Sequence, residues 1–174
     1  MRAETVGSDK LFLEFGVNKG YSARHFTEIL SEYQIKLIGF DSFNGLVDSG
    51  FGSYYTKGSA SMEGEIVKNV KNNKDLFLEV GLIQDTLPNF LKKNSSKKII
   101  FCHIDVDTYE TTKFILSAIK PFLLKGSIIL FDEIHNFAGW EQGEYKALIE
   151  TFSASEYSFI YFSQNNYQAS ISIL

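Results

Sequence analysis

A chain of 174 residues, 44% hydrophobic and 22% charged, can build one globular domain with a sizeable core and is short for two. Lys and Arg number 17 against 21 Asp and Glu, a formal charge of −4 with no basic cluster, which disfavours nucleic acid as a partner. The single cysteine, Cys102, cannot form an intramolecular disulfide and sits in an apolar run, the pattern of a buried thiol in a reducing compartment. Residues 1–10 are polar and mixed in charge, and no apolar stretch approaches the ~20 residues of a membrane span, so a cytoplasmic protein without a membrane partner is expected.

In chain order, short β-branched and aromatic runs alternate with segments carrying a helical stripe, the pattern of stacked βα units around a mainly parallel sheet. The first strand is expected over 11–17. A helix follows over 22–33, with Ala23, Phe26, Leu30 and Tyr33 on one face and Ser22 as its N-cap. A second strand, 35–40, ends at Asp41, and the glycine-rich segment 42–60 has no period and reads as a loop. A short charged helix over 62–72, a third strand over 76–83 and a helical turn over 86–93 come next. Residues 98–104 form a near-continuous apolar run, expected to be a central strand buried on both faces. A helix over 109–124 is stopped by Gly126; a strand over 127–131 and a helix over 144–152 follow. The runs 157–163 and 168–174 are close enough to pair as an antiparallel hairpin.

In open α/β sheets ligands gather outside the carboxyl ends of the strands, so the residues there are the functional candidates. After the first strand, Gly16 and Gly20 let the backbone approach a ligand; the spacing lacks the Gly-x-Gly-x-x-Gly of dinucleotide sites and disfavours NAD. Asp41 could accept hydrogen bonds from both hydroxyls of a ribose, or simply cap a turn. Gln84 and Asp85 could meet an adenine edge. Asp105 and Asp107 after one strand and Asp132 and Glu133 after another crowd carboxylates at one mouth, which a hard cation such as Mg2+ would relieve; alternatively Asp107 caps the helix beginning at Tyr109 and Glu133 faces solvent. His135 follows directly and could act as a general base. His103 and His25 read as packing or surface residues, and Trp140 as either a pocket wall or core.

Together these segments resemble class I S-adenosylmethionine-dependent methyltransferases, especially the macrocin O-methyltransferase-like group. The likeness is carried by Glu14-Phe15-Gly16-Val17 with Gly20, by Gly39-Phe40-Asp41-Ser42-Phe43-Asn44-Gly45-Leu46, and by Gln84-Asp85-Thr86-Leu87-Pro88. It continues through His103-Ile104-Asp105-Val106-Asp107-Thr108-Tyr109, Phe131-Asp132-Glu133 and Gly143-Glu144-Tyr145-Lys146-Ala147. The resemblance implies an α/β Rossmann-like sandwich whose seven-stranded, mostly parallel sheet has the order 3-2-1-4-5-7-6, with one antiparallel strand formed by residues 168–174. It also implies Glu14, Gly16 and Gly20 against the methionine part of S-adenosyl-L-methionine, Asp41 with Ser42 on the ribose, Gln84 or Asp85 near the adenine, and Asp105 at the same cofactor.

In metal-dependent relatives the cation ligands fall at Asp105, Asp132 and Glu133, with Asp107 able to replace Asp105. Two departures stand out. Catechol-type relatives carry a Lys base shortly after the first metal-site Asp, where this chain has Thr108-Tyr109-Glu110, leaving His135 or Asp107 as base. Larger relatives have N-terminal helices over the acceptor, whereas here the first strand starts about ten residues in, so the acceptor site is expected to be open or completed by a second subunit, as in a homodimer. The expected activity is divalent-metal-dependent O-methylation of a small-molecule or glycosyl hydroxyl. The alternatives are a metal-independent transferase and an inactive cofactor-binding module.

Overall fold

The computed structural model describes residues 9–49 and 56–174; residues 1–8 of the expected polar start and 50–55 of the expected 42–60 loop lie outside the described residues. Seven strands form one sheet: β1 (Lys10–Phe15), β2 (Leu37–Asp41), β3 (Leu76–Val80), β4 (Lys98–Ile104), β5 (Leu123–Phe131), β6 (Tyr157–Phe162) and β7 (Ala169–Ile173). Their order is β3-β2-β1-β4-β5-β7-β6. β1 to β5 run parallel, and β7 lies antiparallel to both β5 and β6, so the expected topology and terminal hairpin are present.

The helices are α1 (Tyr21–Ser31), α2 (Lys68–Lys71), α3 (Ile83–Lys93), α4 (Tyr109–Ile119) and α5 (Glu144–Thr151). Because side chains alternate along a strand, the central strands feed two apolar layers. Leu13, Phe15, Phe40, Ile104 and Phe131 pack with Leu87 of α3, Ile115 and Leu116 of α4 and Leu148 of α5. Leu37, Leu76 and Phe12 pack on the other face with Ala23, Phe26 and Leu30 of α1 and Val70 of α2. Cys102 is buried in the first layer, as expected. No helix among the described residues is long and apolar enough to cross a membrane.

Four local expectations give way to tertiary constraints. The helix expected over 62–72 is reduced to the single turn Lys68–Lys71. The helix expected over 109–124 stops at Ile119: Pro121, which lacks an N–H, forces a 3-10 turn, and residues from Leu123 onward pair with β4 instead. Gly126 is therefore not a helix stop but a strand residue at φ +88°. Ser22 does not cap α1; Gly20 holds that position in the left-handed conformation at φ +74°, with Val70 packed where a Cβ would stand. Finally, β3 ends at Val80 and α3 begins at Ile83, so Gln84 and Asp85 lie in the helix's first turn.

Candidate active site

Parallel register brings the carboxyl ends of β1, β4 and β5 level. Gly16 N–H donates to Phe40 O at 2.9 Å, Asp105 N–H to Phe15 O at 2.9 Å, and Asp132 N–H to Ile104 O at 3.0 Å. Gly16, at φ +90°, is required by this closeness: a Cβ there would lie 1.8 Å from the Asp105 carbonyl oxygen. A cleft opens above these ends, and Gly16, Asp41, Ser42, Gln84, Asp105 and Asp107 line it. Of the expected cofactor-side residues, three do not line the cleft: Asp85 is exposed, Glu14 is buried, and Gly20 packs against Val70.

Asp41 caps a turn, the alternative the sequence offered, and it reaches further than that. Its Oδ2 accepts the Val17 and Asn18 amides at 2.8 and 2.7 Å, and its Oδ1 accepts the Phe43 amide at 2.7 Å. The carboxylate thus clamps the loop after β1 to the loop after β2, and it retains about one free lone pair for any ligand. Ser42 braces the same turn by accepting the Asn44 amide at 3.1 Å.

Beside the cleft the acids are crowded. Burial, then the Asp132 charge, pushes the Asp105 carboxyl up to about 7. Burial likewise raises Asp107 and Glu133, and the Asp107 charge lifts Glu133 further, to about 8. Asp107 also adopts φ +57°, an uncommon conformation that Asp tolerates better than most residues. Thr108, not Asp107, occupies the N-cap of α4, and its side chain makes no capping bond.

Sequence reasoning missed three residues. His103, expected to be packing or surface, is buried with its Nδ1 3.1 Å from Glu14 Oε1 and its Nε2 3.7 Å from Asp132 Oδ1. Burial opposes its charge, but the Asp132 and Glu14 carboxylates outweigh that and lift the imidazole to about 10. Glu144, at the start of α5, is buried and accepts the Glu133 amide at Oε2 (3.1 Å), while its Oε1 has no partner; burial holds it well above the usual carboxylate range. Gln168, just before β7, donates from Nε2 to Asp132 Oδ1 at 3.0 Å. Burial works against the Asp132 charge, yet His103 and Gln168 keep its pKa below the ordinary value. The available signal was register: Glu14 and His103 are polar residues in apolar strands and stand opposite each other in the β1–β4 ladder.

His135 does not line the cleft. Its Nε2 bonds to the Gln168 carbonyl oxygen at 3.0 Å and its ring packs edge-on against Phe162, 5.3 Å between centroids. Trp140 packs against Tyr145 at 4.8 Å and does not line the cleft either.

The donor atoms of His103, Asp105 and Asp132 all lie within 4.8 Å of one another, while Glu133 is turned to Asp107. Oxygen donors that repel one another in a half-buried mouth fit a hard divalent cation.

A methyltransferase-domain family profile matches residues 13–134, well over half of the chain. The chain belongs to that family. It is a class I S-adenosylmethionine-dependent methyltransferase of the macrocin and calicheamicin O-methyltransferase-like kind. Among solved structures, the calicheamicin methyltransferase CalS11 superposes with a TM-score of 0.81 at 25% identity, over 97% of this chain and 73% of that one. The O-methyltransferase NovP superposes at 0.70 and 18% identity over 94% and 71%, and the S-adenosylhomocysteine-bound Podospora anserina methyltransferase PaMTH1 at 0.58 and 16% over 95% and 72%; these two speak for the fold. No curated protein matches the chain.

Proposed function

We propose that this methyltransferase transfers the methyl group to a hydroxyl oxygen of a small-molecule or glycosyl acceptor, with a divalent cation such as Mg2+ at the acid cluster. The observation that carries the reading is the convergence of Asp105, Asp107, Asp132 and Glu133 beside the glycine loop of β1. CalS11 is described as a TDP-rhamnose 3'-O-methyltransferase, which supports a sugar hydroxyl as acceptor.

In this reading Asp105 and Asp132 would hold the cation, with Glu133 beside them. S-adenosyl-L-methionine, when bound, supplies a sulfonium methyl, and the cation supplies polarisation of the acceptor oxygen. Gly16 lets the backbone come close to the methionine part of the cofactor, Gly20 shapes the turn into α1 behind it, Asp41 and Ser42 meet the ribose, and Gln84 meets the adenine. Asp107 is the base in this reading: it lines the cleft, and burial raises its carboxyl above the ordinary range, which strengthens its affinity for a proton. His135 is held at one nitrogen by a carbonyl away from the cleft and takes a supporting role. A cation-independent version of the same transfer is favoured by one observation, that His103 already supplies countercharge to Asp132.

The deciding experiment is calorimetric titration with S-adenosylhomocysteine, followed by methyl transfer to a panel of nucleotide sugars with Mg2+ or EDTA. Micromolar binding and EDTA-sensitive turnover are expected. Binding with EDTA-insensitive turnover selects the cation-independent version, and no binding refutes the reading.

A further inference from the structure

The segment leaving β5, residues 132–136, carries half of the acid cluster, and it is stitched to the turn that joins β6 to β7. Ile134 N–H donates to Tyr167 O at 3.0 Å and His135 N–H to the same oxygen at 3.3 Å. His135 Nε2 bonds to Gln168 O at 3.0 Å, and Asn136 Nδ2 donates to Asn166 O at 3.4 Å. A fifth bond runs between side chains, from Gln168 Nε2 to Asp132 Oδ1. Gln168 is held at its main chain by His135 and grips Asp132 with its amide.

We propose that Gln168 is the positioning residue of the acid cluster, fixing the Asp132 carboxylate through Oδ1 so that Oδ2 is the oxygen offered to a cation. The inference rests on the cation-assisted reading above. A ligating carboxylate works best when its second oxygen is tied down by a hydrogen-bond donor, because the donor removes the rotational freedom that ligation must otherwise overcome. Here Oδ1 receives the Gln168 amide and faces the His103 ring, and no donor among the described residues reaches Oδ2. The half-buried Gln168 side chain does not line the cofactor cleft, so its effect on the cation is separable from any effect on the cofactor. It also gives His135 a task, since that ring anchors the Gln168 main chain.

The test compares wild type, Gln168→Leu and His135→Phe as full chains. Mn2+ affinity is read from the free-ion electron paramagnetic resonance signal, and S-adenosylhomocysteine affinity by calorimetry. The expected result is Mn2+ binding weakened about tenfold by Gln168→Leu and less by His135→Phe, with S-adenosylhomocysteine affinity within about twofold of wild type. The proposal is overturned if Gln168→Leu binds Mn2+ within about twofold of wild type, if both affinities fall in parallel, or if wild type binds no Mn2+ at millimolar concentration. Should Gln168→Leu fail to fold, His135→Phe carries the same comparison. If wild type binds Mn2+ in a Gln168-dependent way but ignores S-adenosylhomocysteine, the proposed reaction fails while the positioning role stands.

Discussion

Replacing Asp41 separates a bracing role from a ligand role. Its carboxylate accepts three backbone amides, from Val17, Asn18 and Phe43, at 2.7–2.8 Å. Hydrogen bonds to a charged acceptor each contribute about 1.5–3 kcal/mol, and for a half-buried group the lower end applies. Asp41→Ala abandons all three donors and should cost about 4–5 kcal/mol of folding stability. Asp41→Asn keeps one carbonyl oxygen, which can serve the Val17–Asn18 pair or Phe43 but not both, and turns an NH2 toward the remaining amide; about 2–3 kcal/mol is expected. In a chain of this length each kcal/mol lowers Tm by about 2–4 °C, so the Ala variant should melt some 10 °C below wild type. Urea unfolding at pH 7, paired with S-adenosylhomocysteine calorimetry, is the assay. Stability and affinity should fall together, because the clamped loops form the walls of the cleft. Variants that lose affinity while unfolding at the wild-type urea midpoint would refute the bracing argument and leave Asp41 as a ribose acceptor alone.

Other expectations follow from the same geometry. Gly16→Ala should abolish S-adenosylhomocysteine binding, since its Cβ would meet the Asp105 backbone, whereas Gly20→Ala meets only a methyl of Val70; a milder effect at Gly16 than at Gly20 would contradict the register described. His103 and Asp105, with folded pKa values of about 10 and about 7, and Glu144, raised well above its usual value, all bind protons more tightly folded than unfolded. Their contribution to stability is present at low pH and lost as pH rises, from about 4 to 7 for Asp105 and from about 6.5 to 10 for His103. Cation-free protein should therefore unfold more readily at pH 8 than at pH 5, and Mg2+ at ten times its Kd should restore about 1.4 kcal/mol at pH 8; a flat urea midpoint across that range would count against the cluster. Glu144→Gln should keep the bond to the Glu133 amide and raise stability at pH 8, with the gain shrinking toward pH 4, as thermal melts would show. Cys102, fully buried with its thiol pushed far above the ordinary range, should resist thiol reagents until the chain unfolds.

The sheet was legible because each of its central strands is an apolar run ending in Gly or Asp, a local signal that survives without knowledge of neighbours. Strand order and the reversed β7 came with the resemblance, and the structure agrees. Helix ends were less legible where a distant residue decides them. Val70 fills the space that makes Gly20 the cap of α1, and pairing with β4 takes Leu123 out of the stripe that seemed to extend α4. The acids at the cleft were visible as strand-end residues, but their partners were not. Nothing in the order of residues says that Gln168 reaches back 36 positions to Asp132, or that His103 stands beside a glutamate 89 positions earlier.

That gap has a physical origin in register. Glu14 and His103 meet because β1 pairs with β4 residue for residue from Phe12 to Phe15, after an irregularity at Leu11. A slip of one residue would turn the His103 side chain to the opposite face, among the apolar side chains of α3 and α4, and leave Glu14 buried without a donor. His103 is also the one basic side chain among the described residues that pairs with any of Glu14, Asp105, Asp107, Asp132, Glu133 and Glu144; the Lys and Arg ion pairs lie elsewhere. Six carboxyls around one imidazole leave the cluster short of positive charge. Glu144, Asp107 and Glu133, all raised by burial above the ordinary carboxylate range, hold protons more tightly and so ease part of that deficit, and a cation at Asp105 and Asp132 would meet the rest. Cation binding should therefore release protons, and the pH change of a weakly buffered titration with Mg2+ would register them. Binding without proton release would place the ion away from these acids.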